Sequence, residues 1–372
     1  MNEKKKITFL ISFLSGGGAE GVCVEIANSF SAKGWNVDLV ILNLGDGFYY
    51  NRISSSVNLI LLNVGRAIYS PLSLIKYIYR NNVKTILVFN YELATILVIL
   101  RSLFRLKLKI ISRNINTFSM KMIHYKNQNF WTKYVVKNLI KSNYSKVDYV
   151  INQCNDMRND LISEFPKLLN KSCVIYNPLQ SQISNFVKKN DLNKIKKNDY
   201  ILCVGRLEKQ KAFHYAIEAF ADLSQYFPTL RLKIVGKGSL EKNLKQKAKE
   251  CHVENRIDFL GFQKNMISHY LYAKITLLTS IYEGYPNVLV ESIALNTPVV
   301  AFDCKSGPSE IIKNGYNGYL VKLEDVSDLK KKILKTLTND FDSKKMKNSI
   351  LKNQFSEIFK KYENLLYSFI ES

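Results

Sequence analysis

Residues 283–291 read Glu-Gly-Tyr-Pro-Asn-Val-Leu-Val-Glu and place two carboxylates eight positions apart. An apolar, strand-like run at residues 275–279 comes before this stretch, and a helix-like run at residues 288–295 overlaps its end. Pro286 suits the first turn of a helix, where its missing N–H group would be unpaired anyway. The stretch therefore predicts a strand, a loop and a helix whose backbone N–H groups and dipole favour an anion above the turn.

The two glutamates indicate what kind of ligand this turn could hold. Glu283 would lie at the mouth of the loop, and Glu291 would lie about one turn into the helix. Ionised carboxylates accept hydrogen bonds from hydroxyl groups, whereas the start of a helix favours a phosphate. A ligand with a phosphate in its middle and hydroxyls at both ends fits this layout, and a nucleotide sugar is such a ligand.

Apolar strand-like runs alternate with helix-period runs along most of the chain, which is typical of parallel sheets with helices on both faces. The predicted strands occupy residues 7–13, 37–42, 57–62, 85–89, 108–112, 147–152 and 173–176 and, after an interruption, residues 200–204, 230–235, 256–260, 275–279, 298–302 and 318–321. We therefore predict an α/β fold with two doubly wound, Rossmann-like domains. Ligands of such sheets bind at the carboxyl ends of the strands, so a cleft between the domains is the expected site.

The interruption in this alternation suggests where the domains begin and end. We expect an N-terminal domain at residues 1–178, a polar, lysine-rich linker at residues 179–199 and a C-terminal domain at residues 200–354. Large apolar residues then recur at helical spacing, which predicts a final helix within residues 355–372.

Composition limits the compartment and the partners. The 372 residues suffice for two domains, and 54 basic against 31 acidic residues give a net charge of +23, which attracts polyanions. The six cysteines include no Cys-x-x-Cys pair, so reduced thiols are expected rather than a zinc site or a disulfide framework. Neither a secretory signal nor an apolar run of membrane-spanning length is visible in the sequence, so we expect a cytoplasmic protein.

Residues 101–146 form a basic stretch with 11 lysines and arginines, no acidic residue and several aromatic residues. Such a stretch suits the surface of an anionic membrane, which is the interpretation we favour, at the inner face of the cytoplasmic membrane. Two alternatives stay open. The stretch could bind nucleic acid, or it could be a solvated face whose aromatic residues lie in the core.

A glycine-rich loop, Gly16-Gly17-Gly18, follows the first predicted strand and precedes a helix that should begin near Ala19. It lacks the Gly-x-Gly-x-x-Gly spacing of a dinucleotide site, and Leu42-Asn43-Leu44 stands where the second strand should end in an acid. NAD binding is therefore disfavoured, and contact with a diphosphate or an acceptor is the better functional interpretation.

Several motifs together resemble the retaining glycosyltransferases of family 4, which have the GT-B fold of two Rossmann-like domains facing across a cleft. Gly205-Arg206-Leu207 is followed by Lys211, after which the family usually has glycine and this chain has Ala212. The other matching motifs are the paired glutamates, Gly236-Lys237-Gly238, Phe259-Leu260-Gly261-Phe262, Pro298-Val299-Val300-Ala301, the run of residues 306–312, Gly315-Tyr316-Asn317-Gly318 and the glycine-rich loop ending in Glu20.

The resemblance implies roles for individual residues. Arg206 and Lys211 would meet the leaving diphosphate, Glu283 would bind hydroxyls of the transferred sugar, and Glu291 would bind the ribose of the donor. The other expected donor-binding residues are Gly16, Gly17, Gly205, Gly284, Pro286, Asn287, Val288, Leu289 and Phe262. On the acceptor side the expected residues are Glu20, Arg113 and Asn114, although a structural role is equally open for the last two. The final helix would pack back on the first domain.

The implied reaction moves a sugar from a nucleotide-sugar donor to a glycan acceptor. We expect a lipid-diphosphate-linked acceptor in the synthesis of bacterial surface polysaccharide, such as lipopolysaccharide or capsule, or of glycoprotein glycans. No cofactor and no metal are expected, because Arg206 and Lys211 supply the positive charge and no Asp-x-Asp precedes Glu283. A sugar-nucleotide-modifying enzyme on the same fold, and a basic nucleic-acid-binding protein, remain alternatives, although we expect no nucleic acid partner.

Overall fold

The computed structural model describes residues 5–126 and 130–370, and these form two compact units. The first unit comprises the chain up to Gln180 together with the segment from Phe355 onward, and the second unit is Ser181–Gln354. The predicted fold class, two doubly wound α/β units, is confirmed by both sheets. Residues 1–4, 371 and 372, which we assigned to the first domain and its final helix, lie outside the described residues, as do residues 127–129 of the basic stretch.

A parallel sheet organises the first unit. Its strands are β1 (Lys6–Ile11), β2 (Asn36–Ile41), β3 (Asn58–Leu61), β4 (Thr85–Val88), β5 (Lys109–Arg113), β6 (Tyr149–Asn152) and β7 (Ser172–Val174). Its described α-helices before the second unit are α1 (Gly18–Ala32), α2 (Pro71–Arg80), α3 (Tyr91–Leu103), α4 (Phe118–Lys126), α5 (Lys137–Asn143) and α6 (Asn155–Glu164). The strand order is β3-β2-β1-β4-β5-β6-β7, which reverses direction beside β1.

Both faces of this sheet are covered, as a parallel sheet requires. Along β1, Phe9 belongs to one apolar core and Leu10 to the other, because successive side chains of a strand point to opposite faces. Helix α1 supplies Phe30 to the first of these cores, and α3 supplies Leu97 to the second. The near-continuous apolar character of the predicted strands follows from this double burial.

The second unit has a parallel sheet in the order β10-β9-β8-β11-β12-β13. The strands are β8 (Tyr200–Val204), β9 (Arg231–Val235), β10 (Ile257–Gly261), β11 (Ile275–Leu278), β12 (Val299–Phe302) and β13 (Gly318–Val321). The helices are α7 (Ser181–Lys189), α8 (Phe213–Ser224), α9 (Glu241–Glu250), α10 (Ile267–Leu271), α11 (Asn287–Ala294), α12 (Pro308–Ile311), α13 (Val326–Thr338) and α14 (Ser343–Ser349). Here the order reverses beside β8, so β8 and β11 flank the switch point at which doubly wound sheets bind ligands.

The last helix, α15 (Phe355–Ile370), completes the first unit. Its buried face includes Ile358, Phe359 and Tyr362, which join the same apolar core as Phe9 and Phe30. The rings of Phe30 and Phe359 lie with their centroids 4.8 Å apart. Among the described residues, no helix combines the length and the apolar character that a membrane span requires.

The segment at residues 179–199 differs from the linker that its polar composition suggested. It contains α7, which packs against α11 and buries Ile183, and it belongs to the second unit. The lysines obscured an amphipathic pattern in which Ile183, Phe186 and Val187 share one face of a helix. Further along, the ammonium group of Lys197 donates to the carbonyl of Leu271 at 2.8 Å and to the hydroxyl of Thr297 at 2.5 Å.

We predict that Lys197 makes the stability of the second unit depend on pH. Burial lowers the pKa of Lys197 from 10.5 to about 8, because the charged form is poorly solvated there. The group therefore contributes its full stability above pH 10.5, and that contribution is lost as the pH falls toward 8. From pH 8 to pH 10.5, the unfolding free energy of the wild type should increase by up to about 3 kcal/mol relative to that of Lys197→Met. Urea unfolding across this range measures it, and parallel pH profiles of the two proteins would contradict it.

Candidate active site

The candidate site lies where β8 and β11 end side by side in the second unit. These strands pair in parallel, with Leu277 opposite Cys203, so the loops that follow them are neighbours. Hydrogen bonds join the loops, since the amide of Ile281 donates to the carbonyl of Gln210 at 3.0 Å. The side-chain amide of Gln210 donates to the carbonyl of Tyr282 at 2.9 Å.

A buried ion pair connects the two loops. The Nζ atom of Lys211 lies 2.5 Å from Oε1 of Glu283, and the two side chains are 15% and 9% exposed. Gly205 leaves space for the lysine side chain, because a Cβ atom at this position would lie 2.9 Å from Cε of Lys211. The hydroxyl of Thr279 donates to the carbonyl of Lys211 at 2.9 Å and fixes the backbone of the lysine. The structure thus brings together two of the residues that the sequence assigned to catalysis.

Ala212 occupies the position where the resembling family usually has glycine. Its backbone is left-handed, with φ of 44° and ψ of 42°, immediately before α8. A residue with a Cβ atom pays roughly 1 kcal/mol or more for this conformation. The chain therefore keeps the backbone path that glycine would adopt without strain, and Lys211 remains in position.

Arg206, the third predicted catalytic residue, is exposed at the edge of the same loop. Its charge acts on Tyr282, whose pKa is raised by burial and lowered in part by the arginine. The guanidinium group is therefore accessible from solvent, close to the loop that carries Glu283. An exposed cation next to a buried pair gives this edge of the sheet a positive character.

The loop from Gly284 to the start of α11 is tightly packed. Pro286 immediately precedes the helix, which begins at Asn287, instead of lying in its first turn as the sequence suggested. Gly307 has φ of 95°, and a Cβ atom there would lie 2.5 Å from Cδ of Pro286 and 2.8 Å from the carbonyl oxygen of Gly284. The glycine therefore allows the close approach that holds this loop in place.

Glu291, on α11, is 6% exposed and lies beside Tyr270 of α10. Complete burial of Tyr270, together with the charge of Glu291, raises the pKa of this tyrosine well above its usual value. Of the other predicted donor-binding residues, Val288 is half-buried, whereas the side chain of Leu289 is fully buried and could meet a ligand only through its backbone. Phe262 follows β10 and is 41% exposed.

Gly16, Gly17 and Glu20 belong to the first unit, at the start of α1. The carboxylate of Glu20 folds back over the loop, since a Cβ atom at Gly17 would lie 2.3 Å from Oε2 of Glu20. An acidic side chain in the first turn is stabilised by the helix dipole. The glycine at position 17 is therefore needed for Glu20 to take this position.

Arg113 and Asn114, for which an acceptor role and a structural role were both open, are buried and hydrogen-bonded within the first unit. Arg113 is 0% exposed, and its Nε atom donates to the hydroxyl of Tyr362 at 2.6 Å. Its Nη2 atom donates to Oδ1 of Asn177 at 2.5 Å. Asn114 is equally buried and donates to Oδ1 of Asn152 at 2.9 Å. The burial of both residues favours the structural alternative that the sequence left open.

Several residues that shape the site were missed by sequence reasoning. Gln210 and Thr279 tie the loops together, Gly307 admits the loop before α11, and Tyr270 lies beside Glu291. Only Gly307 carried a signal, since it lies within one of the matching motifs. In the described part of the chain, no group of three or more His, Cys, Asp and Glu side chains could hold a metal ion.

Comparisons with known proteins agree with this fold. A model of the glycosyl transferases group 1 matches residues 185–353, and a model of glycosyltransferase family 4 matches residues 16–182. An uncharacterized glycosyltransferase of Haemophilus influenzae is 28% identical over 88% of this chain and 89% of its own.

A Campylobacter jejuni relative is also 28% identical, over 92% of this chain and 93% of its own. It is named N-acetylgalactosamine-N,N'-diacetylbacillosaminyl-diphospho-undecaprenol 4-alpha-N-acetylgalactosaminyltransferase. Among solved structures, HepE of Anabaena in complex with UDP has a TM-score of 0.75 and 20% identity, and the match covers 98% of this chain and 100% of HepE.

The two family models together span both units, and they match the halves of the chain that carry the glycine-rich loop and the paired glutamates. The chain belongs to the glycosyltransferases of the family 4 type, with the GT-B fold, and is a transferase enzyme.

Proposed function

We propose that this enzyme transfers a sugar, with retention of anomeric configuration and without a metal ion, from a nucleotide-sugar donor to a lipid-diphosphate-linked glycan. The observation that carries the proposal is the Lys211–Glu283 ion pair, which lies at the carboxyl ends of β8 and β11. It combines a cation for the leaving diphosphate with a carboxylate for the hydroxyls of the sugar. The structure of a relative with UDP supports the nucleotide as the carrier of that diphosphate.

The positive charge in this proposal comes from the protein. Negative charge grows on the diphosphate as its bond to the sugar breaks, and a cation placed in advance lowers the energy of that transition state. Lys211 has three N–H donors, so its ammonium group can keep Glu283 and still meet a phosphate oxygen. Arg206 adds a planar fork of donors from the exposed edge, and the start of α11 adds its dipole.

Retention follows if the acceptor attacks from the face that the diphosphate leaves. Lys211 forms an ion pair with Glu283, and this pairing makes the carboxylate a weaker nucleophile toward the sugar. In the proposed step the bond from the anomeric carbon to the phosphate oxygen breaks, and a bond from that carbon to the acceptor oxygen forms. The proton of the acceptor hydroxyl passes to the leaving phosphate. The anomeric configuration of the isolated product, determined by NMR, tests this step.

The lipid-linked acceptor is supported by the surface of the first unit. In the basic stretch at residues 101–146, Phe118, Tyr125 and Tyr144 lie in the core. The remaining large aromatic residues in the described part of this stretch are exposed and comprise Phe104, Phe130, Trp131 and Tyr134. A basic surface with exposed aromatic side chains is typical of proteins that rest on anionic membranes. The Campylobacter relative is named for a substrate that carries a diphospho-undecaprenol group, which agrees with this acceptor.

We predict that Lys211→Ala and Arg206→Ala each reduce kcat by roughly 100-fold or more, with a smaller effect on donor affinity. The wild-type enzyme should stay active in EDTA, because Lys211 and Arg206 supply the positive charge that the leaving diphosphate needs. Lys209→Ala is the matched control, since Lys209 is an exposed lysine in the same turn. Turnover with the full donor is the measurement, with thermal unfolding in parallel to exclude misfolding. Wild-type turnover in Lys211→Ala, or loss with EDTA that added metal restores, would remove this role.

We predict that two assays distinguish the roles of Glu283 and Glu291. Glu291→Gln should weaken binding of the free nucleoside diphosphate, because a neutral amide accepts the ribose hydroxyl bonds less strongly. Glu283→Gln should spare that binding and lower sugar transfer, because its proposed contact is with the sugar. Calorimetry measures the first effect and turnover the second. If Glu283→Gln loses nucleotide affinity as badly as Glu291→Gln, the assignment of roles is wrong.

We predict salt-sensitive binding of the enzyme to phosphatidylglycerol vesicles through the basic stretch. Each basic residue near an anionic surface contributes roughly 1 kcal/mol, so replacing Lys133 and Lys137 by Gln should weaken binding roughly 30-fold at low salt. The same replacement of Lys242 and Lys249, on α9 of the second unit, is the control. Vesicle co-sedimentation is the measurement.

Equal binding to neutral and anionic vesicles would contradict the electrostatic part of this prediction. Tighter, salt-dependent binding to random duplex DNA than to the vesicles would instead favour the nucleic acid alternative.

A further inference from the structure

Tyr270 presents an unusual combination of burial and polarity. Its side chain is 0% exposed, yet its hydroxyl group makes no hydrogen bond that satisfies the usual distance and angle. Leaving a buried hydroxyl without a partner disfavours folding. A phenylalanine would fill the same space without that penalty, so the hydroxyl needs a reason other than packing.

The hydroxyl lies within interaction range of the Glu291 carboxylate, although not in hydrogen-bonding geometry. The two residues belong to neighbouring helices, since α10 packs against α11. Burial and the charge of Glu291 raise the pKa of Tyr270 well above its usual value, so the hydroxyl keeps its proton at neutral pH. A protonated phenol beside a carboxylate can only donate toward it, and the carboxylate can only accept.

The backbone around Tyr270 is held from several sides. The hydroxyl of Thr297 donates to the carbonyl of Tyr270 at 2.7 Å and accepts from Lys197 at 2.5 Å. Ser292, the neighbour of Glu291, donates to the carbonyl of Thr297 at 3.0 Å, and its hydroxyl oxygen lies 2.7 Å from that of Thr276. The backbone at Tyr270 and the turn of α11 that carries Glu291 are therefore connected through hydrogen bonds to Thr297.

We propose that Tyr270 is a positioning residue, whose hydroxyl donates to the Glu291 carboxylate when the nucleotide binds and orients that carboxylate for the ribose hydroxyls. This inference rests on the proposed role of Glu291. A carboxylate has about four lone-pair sites, so one hydrogen bond from Tyr270 leaves room for two from the ribose.

The test is Tyr270→Phe, which removes only the hydroxyl. Binding of UDP and GDP is measured by calorimetry, and the tighter ligand is used thereafter. We expect the Kd to rise about 10-fold, as for the loss of a hydrogen bond to a charged group, while kcat at saturating donor changes less than about 2-fold. The melting temperature should stay the same or rise, because an unpaired buried hydroxyl has been removed.

Tyr200→Phe is the matched control. Tyr200 lies on β8 of the same unit, and its hydroxyl donates to the carbonyl of His269 at 2.7 Å. This variant should leave the Kd unchanged. In a double-mutant cycle, Tyr270→Phe should have no further effect on the Kd when Glu291 is already Ala, because the side chain that would accept the proposed bond is then absent.

The outcomes separate this inference from the function on which it rests. If neither nucleotide binds, or if Glu291→Gln leaves the affinity intact, the proposed nucleotide role itself fails. If Glu291→Gln weakens binding and Tyr270→Phe does not, only the positioning role is wrong. A fall in melting temperature that accompanies the loss of affinity would show that Tyr270 is merely structural.

Discussion

The parallel pairing of β8 with β11 is the constraint on which the candidate site depends. These strands are adjacent in the sheet, although β9 and β10 lie between them in sequence. Their loops leave the sheet at the same edge, where Gln210 and Thr279 tie one loop to the other. Lys211 and Glu283, 72 residues apart in the chain, become a contact pair only because of this topology.

The ion pair then determines the electrostatics of the site. A charge that is largely removed from water needs a compensating partner, and each member of the pair supplies it for the other. A diphosphate that approaches Lys211 would add a second anion to the same ammonium group. The lysine would then bridge two anions, with the exposed Arg206 nearby to balance the surplus of negative charge. The same arrangement orders Glu283 before any ligand arrives.

The sequence was informative where a pattern is local. The alternation of strands and helices predicted both sheets, and the motifs that contain Lys211 and Glu283 lie on loops that the structure brings into contact. It was less informative where a residue's environment depends on distant parts of the chain. For Arg113, which follows a predicted strand, a role at the acceptor and a structural role were equally open, because the tyrosine that accepts its hydrogen bond, Tyr362, lies 249 positions away. For Tyr270, no local pattern indicated its proximity to Glu291, which comes from the packing of two helices.

The return of α15 to the first unit has a consequence for synthesis on the ribosome. The second unit is one continuous segment, whereas the first is interrupted by it and is completed only by the segment from Phe355 onward. Until α15 emerges, the first unit lacks Ile358 and Phe359 from its core, and Arg113 lacks the hydroxyl of Tyr362. The first unit can thus reach its final structure only after the second has been synthesised, and termination of synthesis before Phe355 would leave an apolar surface of the first unit uncovered.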